Sequence, residues 1–149
     1  MIERPLTLHP SMTMAQAFEE IHHRGIRFFP VVDDNGDFMG VFSSISLIEL
    51  LLPRGLINSL DKKKNPPELN FMQPSLEELR KRLQERGDEP IRDFLVTQDV
   101  PLCTPDTSLM ELLYTIYLHY SHVIVVEEGS RRFLGIVSID GILDHIKGA

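Results

Sequence analysis

The chain has 149 residues, a formal charge of −7 and one cysteine. Its length fits one ordinary domain, and a composition that is 42% hydrophobic and 25% charged is typical of a folded globular protein. The single cysteine excludes an internal disulfide framework and a zinc site of four thiolates. The acidic balance argues against a broad surface for nucleic acid or anionic membrane.

The first residues lack the basic region and apolar core of a signal peptide. No apolar run approaches the roughly 18 residues of a membrane span. We therefore expect a cytoplasmic protein with no membrane span.

The pattern of residues 1–53 predicts a strand, a helix, a hairpin and a second helix, in that order. A short strand at residues 6–8 precedes a helix that begins with a capping box, Thr13 and Gln16. The hairpin is predicted by β-rich runs at residues 28–32 and 38–42, joined by a turn that contains Asn35-Gly36. The final short helix ends at Pro53. The first helix carries an apolar stripe that we expect to be core: Met14, Ala17, Phe18 and Ile21.

Residues 54–89 differ in character and are predicted to form a helical insert. A lysine triplet at 62–64, followed by Asn65-Pro66-Pro67, indicates an exposed loop. A helix is then predicted to begin at the N-cap Ser75, with Glu78 three residues later.

Residues 90–149 repeat the order of the first 53. Pro10 and Pro105, Gly40 and Gly135, and Ser43 and Ser138 each lie 95 positions apart. The second copy has a predicted strand at residues 100–103, a helix capped by Ser108, a hairpin that turns at residues 128–131 and a final helix. The second helix carries the matching stripe: Leu109, Leu112, Leu113 and Ile116. Each copy is too small to bury a stable core alone, so we expect the two to pack together as one α+β module with two similar clefts.

The repeat resembles the CBS domain, and the whole chain resembles a tandem CBS pair, or Bateman module. Residues 29–43, which read FPVVDDNGDFMGVFS, carry the resemblance in the first copy. In the second copy it is carried by TPDTSL at 104–109, IVVE at 124–127 and GIVS at 135–138, with the lead-in PIRDFL at 90–95. The resemblance implies two β-α-β-β-α repeats, 1–53 and 90–149, packed with pseudo-two-fold symmetry around the insert.

What the resemblance implies about function is regulation without catalysis. Such pairs bind adenosine-containing ligands in the clefts between repeats, including AMP, ADP, ATP, S-adenosylmethionine and cyclic di-AMP. They form homodimers and control an enzyme or a transporter, which is expected here to be a separate protein. No cofactor is expected to be required. The alternative is a structural or protein-interaction module that binds no nucleotide.

The resemblance also implies which residues would line the two clefts. The family motif continues as Ser/Thr-x-x-Asp, in which the hydroxyl contacts phosphate and the carboxylate accepts from the ribose hydroxyls. Here Ser46 and Gly141 occupy the aspartate position, and Asp140 stands one residue early. Loss of a hydrogen bond to a charged group would weaken binding by roughly ten- to a hundredfold. The candidate ligand-binding residues are Thr7, Leu8, Arg27, Phe28, Phe29, Pro30, Ser43, Ser46, Leu102, Cys103, Thr104, His122, Val123, Ile124, Ser138 and Asp140.

The sequence gives little support for a catalytic or metal-binding function. The turn at residues 33–37 imitates the start of a calcium loop but has Phe38 where such loops need glycine and Ser44 where they need glutamate. His22 and His23 are neighbours on a helix and face different ways, which does not suit joint ligation. Cys103 is expected to be a small buried apolar residue rather than a reactive thiol. We expect no catalytic residues and no metal site.

Overall fold

The computed structural model describes residues 1–26, 28–52 and 72–148, and in them a helix, a hairpin and a second helix occur twice in that order. The first repeat consists of α1 (Met14–Arg24), β1 (Phe28–Val32), β2 (Phe38–Ser43) and α2 (Ser44–Leu51). Helix α3 (Leu76–Glu85) follows, then a short 3-10 helix (Ile91–Phe94). The second repeat consists of β3 (Leu102–Cys103), α4 (Leu109–His119), β4 (Val123–Val126), β5 (Phe133–Val137) and α5 (Ile139–Lys147). The α+β prediction is confirmed.

Helices α1 and α4 begin directly after their predicted N-cap residues, Thr13 and Ser108. Thr13 Oγ1 accepts the amide of Gln16 at 3.2 Å, and the Gln16 side chain accepts the amide of Thr13 at 3.0 Å. Ser108 accepts the amide of Glu111 at 3.2 Å. Because a capped N-terminus satisfies amides that the helix itself cannot, these contacts fix where each helix starts.

Helix α3 lies against the first repeat. Its N-cap Ser75 accepts the amide of Glu78 at 3.1 Å, as predicted. Arg82 donates to the carbonyl of Leu51 at 3.3 Å, and Arg86, just beyond the helix, donates to the carbonyl of Leu50 at 2.7 Å. These donors satisfy carbonyls at the end of α2 and hold the two helices together. The predicted lysine loop lies outside the described residues.

The two sheets have the same antiparallel hairpin but differ in the strand beside it. In the second repeat β3 pairs with β4 in parallel. In the first repeat residues 6–8 were predicted to form the equivalent strand, but of these only Leu8 pairs, with Val31. Pro30 explains the difference, because it has no N–H to donate to residue 6. Ile124 stands at the matching place and donates to the carbonyl of Pro101 at 3.0 Å.

Each repeat adds one strand-like residue to the other repeat's hairpin. Glu3 pairs with Ile136 of β5, and Val96 pairs with Val41 of β2, both in antiparallel fashion. Since Val41 and Ile136 lie 95 positions apart, the exchange follows the pseudo-two-fold symmetry. The hairpin turns also meet, at Asp37 and Arg132.

The core has three parts: one in the first repeat that also includes Ile91 and Phe94, one in the second repeat, and one between the hairpins. Buried apolar residues of the central part come from both hairpins, and the part is formed by Phe38, Val41, Ile124, Val126 and Ile136. The helical stripes contribute less than predicted. Met14, Ala17 and Leu112 are buried, but Phe18 and Leu109 are 38% and 40% exposed, so their assignment to the core was wrong. Both lie at the rim of the buried stripe, and Phe18 stacks on His22 instead.

Within the described residues, the model contains no helix that is both long and apolar enough to cross a membrane.

Candidate functional site

An aromatic pair lies between the two repeats, where the sequence predicts the two clefts. Phe28 and His122 are 94 positions apart and occupy equivalent places at the starts of the two central strands. Their ring centroids are 5.2 Å apart, with an interplanar angle of 88°. Symmetry-related residues of the two repeats are therefore in direct contact at the pseudo-two-fold axis.

A serine lies beside each ring, at the end of the neighbouring strand. Phe28 is directly opposite Ser43 in the hairpin register. Val123 is opposite Val137, so the next step along the ladder places His122 beside Ser138. Each cleft thus combines an aromatic ring with a serine that also caps the following helix.

In the first repeat, both serines of the motif are used to cap α2. Ser43 Oγ accepts the amide of Ile45 at 3.3 Å, and Ser46 Oγ accepts the amide of Ser43 at 3.2 Å. Ser46 is wholly buried. Its hydroxyl is therefore directed to the helix end, while Ser43 stays half-buried at the cleft.

In the second repeat, a carboxylate that the sequence reasoning missed lies at the cleft. Ser138 Oγ accepts the amide of Gly141 at 2.9 Å and donates to Oε1 of Glu3 at 3.1 Å. Asp140 is exposed in the first turn of α5. No local pattern indicates Glu3, because its partner Ser138 is 135 residues away in the chain. The only sequence signal for this contact is Gly141, whose missing side chain leaves room for the carboxylate.

The segments before α1 and α4 pair with β1 and β4 and contain further candidate residues. Leu8 and Cys103 are buried next to β1 and β4, whereas Thr7 and Leu102 are exposed. Thr104 is half-buried and its amide donates to Oγ1 of Thr107 at 3.0 Å. Burial raises the pKa of the Cys103 thiol to about 11, which agrees with the expectation of an unreactive cysteine.

Several candidate residues have their side chains in the core. Phe29, Val123 and Ile124 are wholly buried, and Pro30 is buried with them. In this conformation they would offer a ligand only backbone atoms. Arg27 lies outside the described residues.

His122 has an unused polar atom at the axis. Its Nδ1 is buried and has no hydrogen-bond partner in the part of the chain that the structure describes. An unpaired buried nitrogen is costly, so a donor or acceptor brought by a ligand would gain from meeting it.

A hydrogen-bonded Ser-His-Asp chain lies on the surface of the first repeat, where the sequence showed no nucleophile and base. Ser11 Oγ is 2.6 Å from Nδ1 of His9, and His9 Nε2 is 2.7 Å from Oδ1 of Asp34. The His9 and Asp34 side chains are 45% and 90% exposed. The backbone amide of Ser11 also donates to Nδ1, so the group closes a local turn and ties it to the β1–β2 turn. Among the described residues, no cluster of three or more His, Cys, Asp or Glu side chains is arranged to hold a metal.

Comparisons with solved structures show the same fold. A CBS domain-containing protein of unknown function from Kribbella flavida is 17% identical, covers 98% of this chain and 95% of its own, and has a TM-score of 0.67. CbpB from Listeria monocytogenes is 16% identical over 96% of this chain and 91% of its own, with a TM-score of 0.68. CBSX2, solved in complex with AMP, is 17% identical over 96% and 87%, with a TM-score of 0.62.

A search of curated protein sequences returned no match. The family model of the CBS domain matches residues 1–53 and again residues 91–148, which together form most of the chain. Proteins of this family are regulatory modules. The tandem arrangement indicated by the sequence is confirmed: the chain belongs to the CBS domain family.

Proposed function

We propose that this protein is a noncatalytic regulatory module that senses an adenosine-containing ligand in the clefts between its repeats and controls a separate partner protein. The observation that carries the proposal is the symmetric placement of a ring and a serine at each cleft: Phe28 with Ser43, and His122 with Ser138. The AMP complex of CBSX2, which shares the fold, supports the ligand class.

The clefts offer groups that suit a nucleoside. The edge of an aromatic ring packs against a flat base, and serine hydroxyls bind sugar or phosphate oxygens. AMP, ADP, ATP and S-adenosylmethionine are the ligands proposed, and no cofactor is required.

The proposed mechanism is a shift between relative orientations of the two repeats. A ligand that contacts both sides of the Phe28–His122 pair favours the orientation that it binds more tightly. The central core between the hairpins is the element that this shift would change. The outer surface of the module would then change shape for its partner, an enzyme or a transporter. We propose a cytoplasmic location, which a single free cysteine favours.

The proposal includes a homodimer formed through α4. Four side chains spaced along one face of this helix are strongly exposed: Met110 at 74%, Tyr114 at 57%, Tyr117 at 73% and Leu118 at 55%. An apolar and aromatic stripe of this kind is typical of an interface, where tyrosine is enriched. A second copy would present the same stripe across a two-fold axis.

Thermal unfolding in the presence of millimolar AMP, ADP, ATP, S-adenosylmethionine and cyclic di-AMP tests the proposal. A ligand at a hundred times its dissociation constant adds about 2.7 kcal/mol to the free energy of unfolding. We expect a clear rise in Tm with at least one of them. No rise with any of the five would contradict the sensor and favour a protein-interaction module without a nucleotide.

A further inference from the structure

The N-terminal segment is fixed against the second repeat by backbone hydrogen bonds. The amide of Glu3 donates to the carbonyl of Ile136, and the amide of Ile136 donates to the carbonyl of Glu3, both at 2.8 Å. Gly135 permits this approach: its φ is +151°, and a Cβ there would lie 2.4 Å from the Glu3 carbonyl oxygen. The position of Glu3 therefore follows from the backbone of β5.

The Glu3 carboxylate occupies the space next to Gly141. A Cβ at position 141 would lie 2.7 Å from Glu3 Oε1 and 2.8 Å from Ser138 Oγ. Ser138 has one hydroxyl proton, and it is donated to Glu3. The Ser138 hydroxyl therefore has no proton left to donate to a ligand phosphate. The phosphate would also be repelled by the negative charge of Glu3 beside it.

The first repeat has no acidic residue at the equivalent place. The residue that pairs with Val41, as Glu3 pairs with Ile136, is Val96. Val96 packs against the central core between the hairpins. At this place the two repeats thus share a backbone arrangement, but the second has a carboxylate where the first has Val96.

We propose that Glu3 sets the ligand preference of the second-repeat cleft, so that this cleft takes a nucleoside or cationic ligand with hydroxyl or amino donors and disfavours a phosphorylated one. A carboxylate accepts hydrogen bonds from sugar hydroxyls and attracts a cation, while it repels phosphate. The inference rests on the proposed function and adds a choice of ligand charge to it.

Adenosine and AMP are matched probes, since they differ only in the phosphate. Each is titrated into the whole chain while the backbone amide resonance of Gly141 is followed by ¹H–¹⁵N NMR, because that amide donates to Ser138 in the second cleft. The variant Glu3→Gln keeps an acceptor oxygen at the same length and removes the charge. Glu128→Gln, on the exposed β4–β5 turn, is the control for losing one charge elsewhere.

The wild-type protein is expected to bind adenosine more tightly than AMP at this cleft. Glu3→Gln should improve AMP binding relative to adenosine by about tenfold, and Glu128→Gln should leave the ratio unchanged. An unchanged ratio in Glu3→Gln, with ligand still bound, overturns the role of Glu3 and leaves the proposed function intact. If neither probe shifts Gly141 in any variant, both the nucleoside site in this cleft and the role of Glu3 are overturned.

Discussion

The two clefts are built on the same backbone and differ in the residue that crosses over from the opposite end of the fold. Gly40 and Gly135 have nearly the same φ, +156° and +151°, and each lies under a strand-like residue of the other repeat. At Gly40 that residue is Val96, and at Gly135 it is Glu3. The backbone is therefore alike at the two clefts, while the residue contributed by the other repeat, Val96 or Glu3, makes them differ in charge.

The outer helices show the same contrast. The exposed stripe of α4 is apolar and aromatic, whereas the residues 95 positions earlier on α1 are Ala15, Glu19, His22 and His23. Glu19 and His23 approach each other at 3.3 Å on that surface. Of these two equivalent helices only α4 has the composition of an interface, so the symmetry of the fold does not extend to this pair of surfaces.

The largest expected loss of stability follows from disturbing the backbone hydrogen bonds between Glu3 and Ile136. Gly135→Ala forces a side chain against the Glu3 carbonyl and places alanine at a strained positive φ, so we expect the free energy of unfolding to fall by about 2–4 kcal/mol. Urea denaturation measures this loss. Hydrogen exchange should show that the Ile136 amide has lost protection, because its acceptor is displaced.

Gly40→Ala is the matched control for that substitution. Its Cβ would lie 3.0 Å from the carbonyl of Val96, so the variant should also be destabilised, but the Ile136 amide should stay protected. A protected Ile136 amide in Gly135→Ala would show that the N-terminal segment is not held as described.

A smaller effect is expected where two carboxylates compete for one space. Gly141→Asp places a second negative charge beside Glu3, so the free energy of unfolding should fall by about 1–3 kcal/mol. In the Glu3→Ala background the same aspartate faces no repulsion from Glu3, so the loss should shrink to the part caused by its contact with Ser138 Oγ. The double-mutant cycle by urea denaturation should give a coupling of about 0.5–3 kcal/mol, and additive effects would place the Glu3 carboxylate elsewhere.

The contrast between the outer helices predicts a change in assembly. Tyr114→Glu gives α4 the residue that α1 has at the matching position, Glu19, and should weaken the proposed dimer by at least about tenfold. Sedimentation velocity over a range of concentrations measures this. Glu19→Gln, on α1, should leave the association unchanged. Equal association of Tyr114→Glu and the wild type would exclude α4 as the interface.

The smallest expected effect is the pH dependence of stability that Cys103 causes. The equivalent residue of the first repeat is Leu8. Because burial raises the pKa of the Cys103 thiol from about 9 to about 11, stability from this group is fully present below pH 9 and is lost as the pH rises toward 11. Alkylation by iodoacetamide at pH 7 should be very slow in the native protein and fast in urea. Fast labelling of the native protein would contradict the burial of Cys103, and Cys103→Val should remove the part of the pH dependence that this thiol causes.

Most of the fold could be predicted because its signals are local. The Asn35-Gly36 turn and the cap residues Thr13 and Ser108 act over a few positions, and the 95-residue spacing of glycines and serines shows that these local signals occur twice. The exposure of Phe18 and Leu109 was missed, since an apolar stripe does not show how much of its width the neighbouring strands cover.

The part of the site that could not be predicted depends on contacts between distant segments. Ser43 and Ser138 were found from the motif, but nothing near residue 3 indicates that it reaches β5. The contact of Phe28 with His122 likewise requires both repeats to be in place. The missing aspartates pointed to weaker binding in both clefts, whereas the structure separates them: Ser46 caps its own helix, and Gly141 leaves room for Glu3.

The central claim is that the two clefts are ligand sites and are not equivalent. The most direct measurement is one ¹H–¹⁵N NMR titration of the wild-type protein with adenosine, which follows the amides of Gly141 and Ser46 together. We expect saturable movement of both resonances with different dissociation constants, the tighter one at Gly141. Equal dissociation constants at the two amides, or no movement of either, would contradict it.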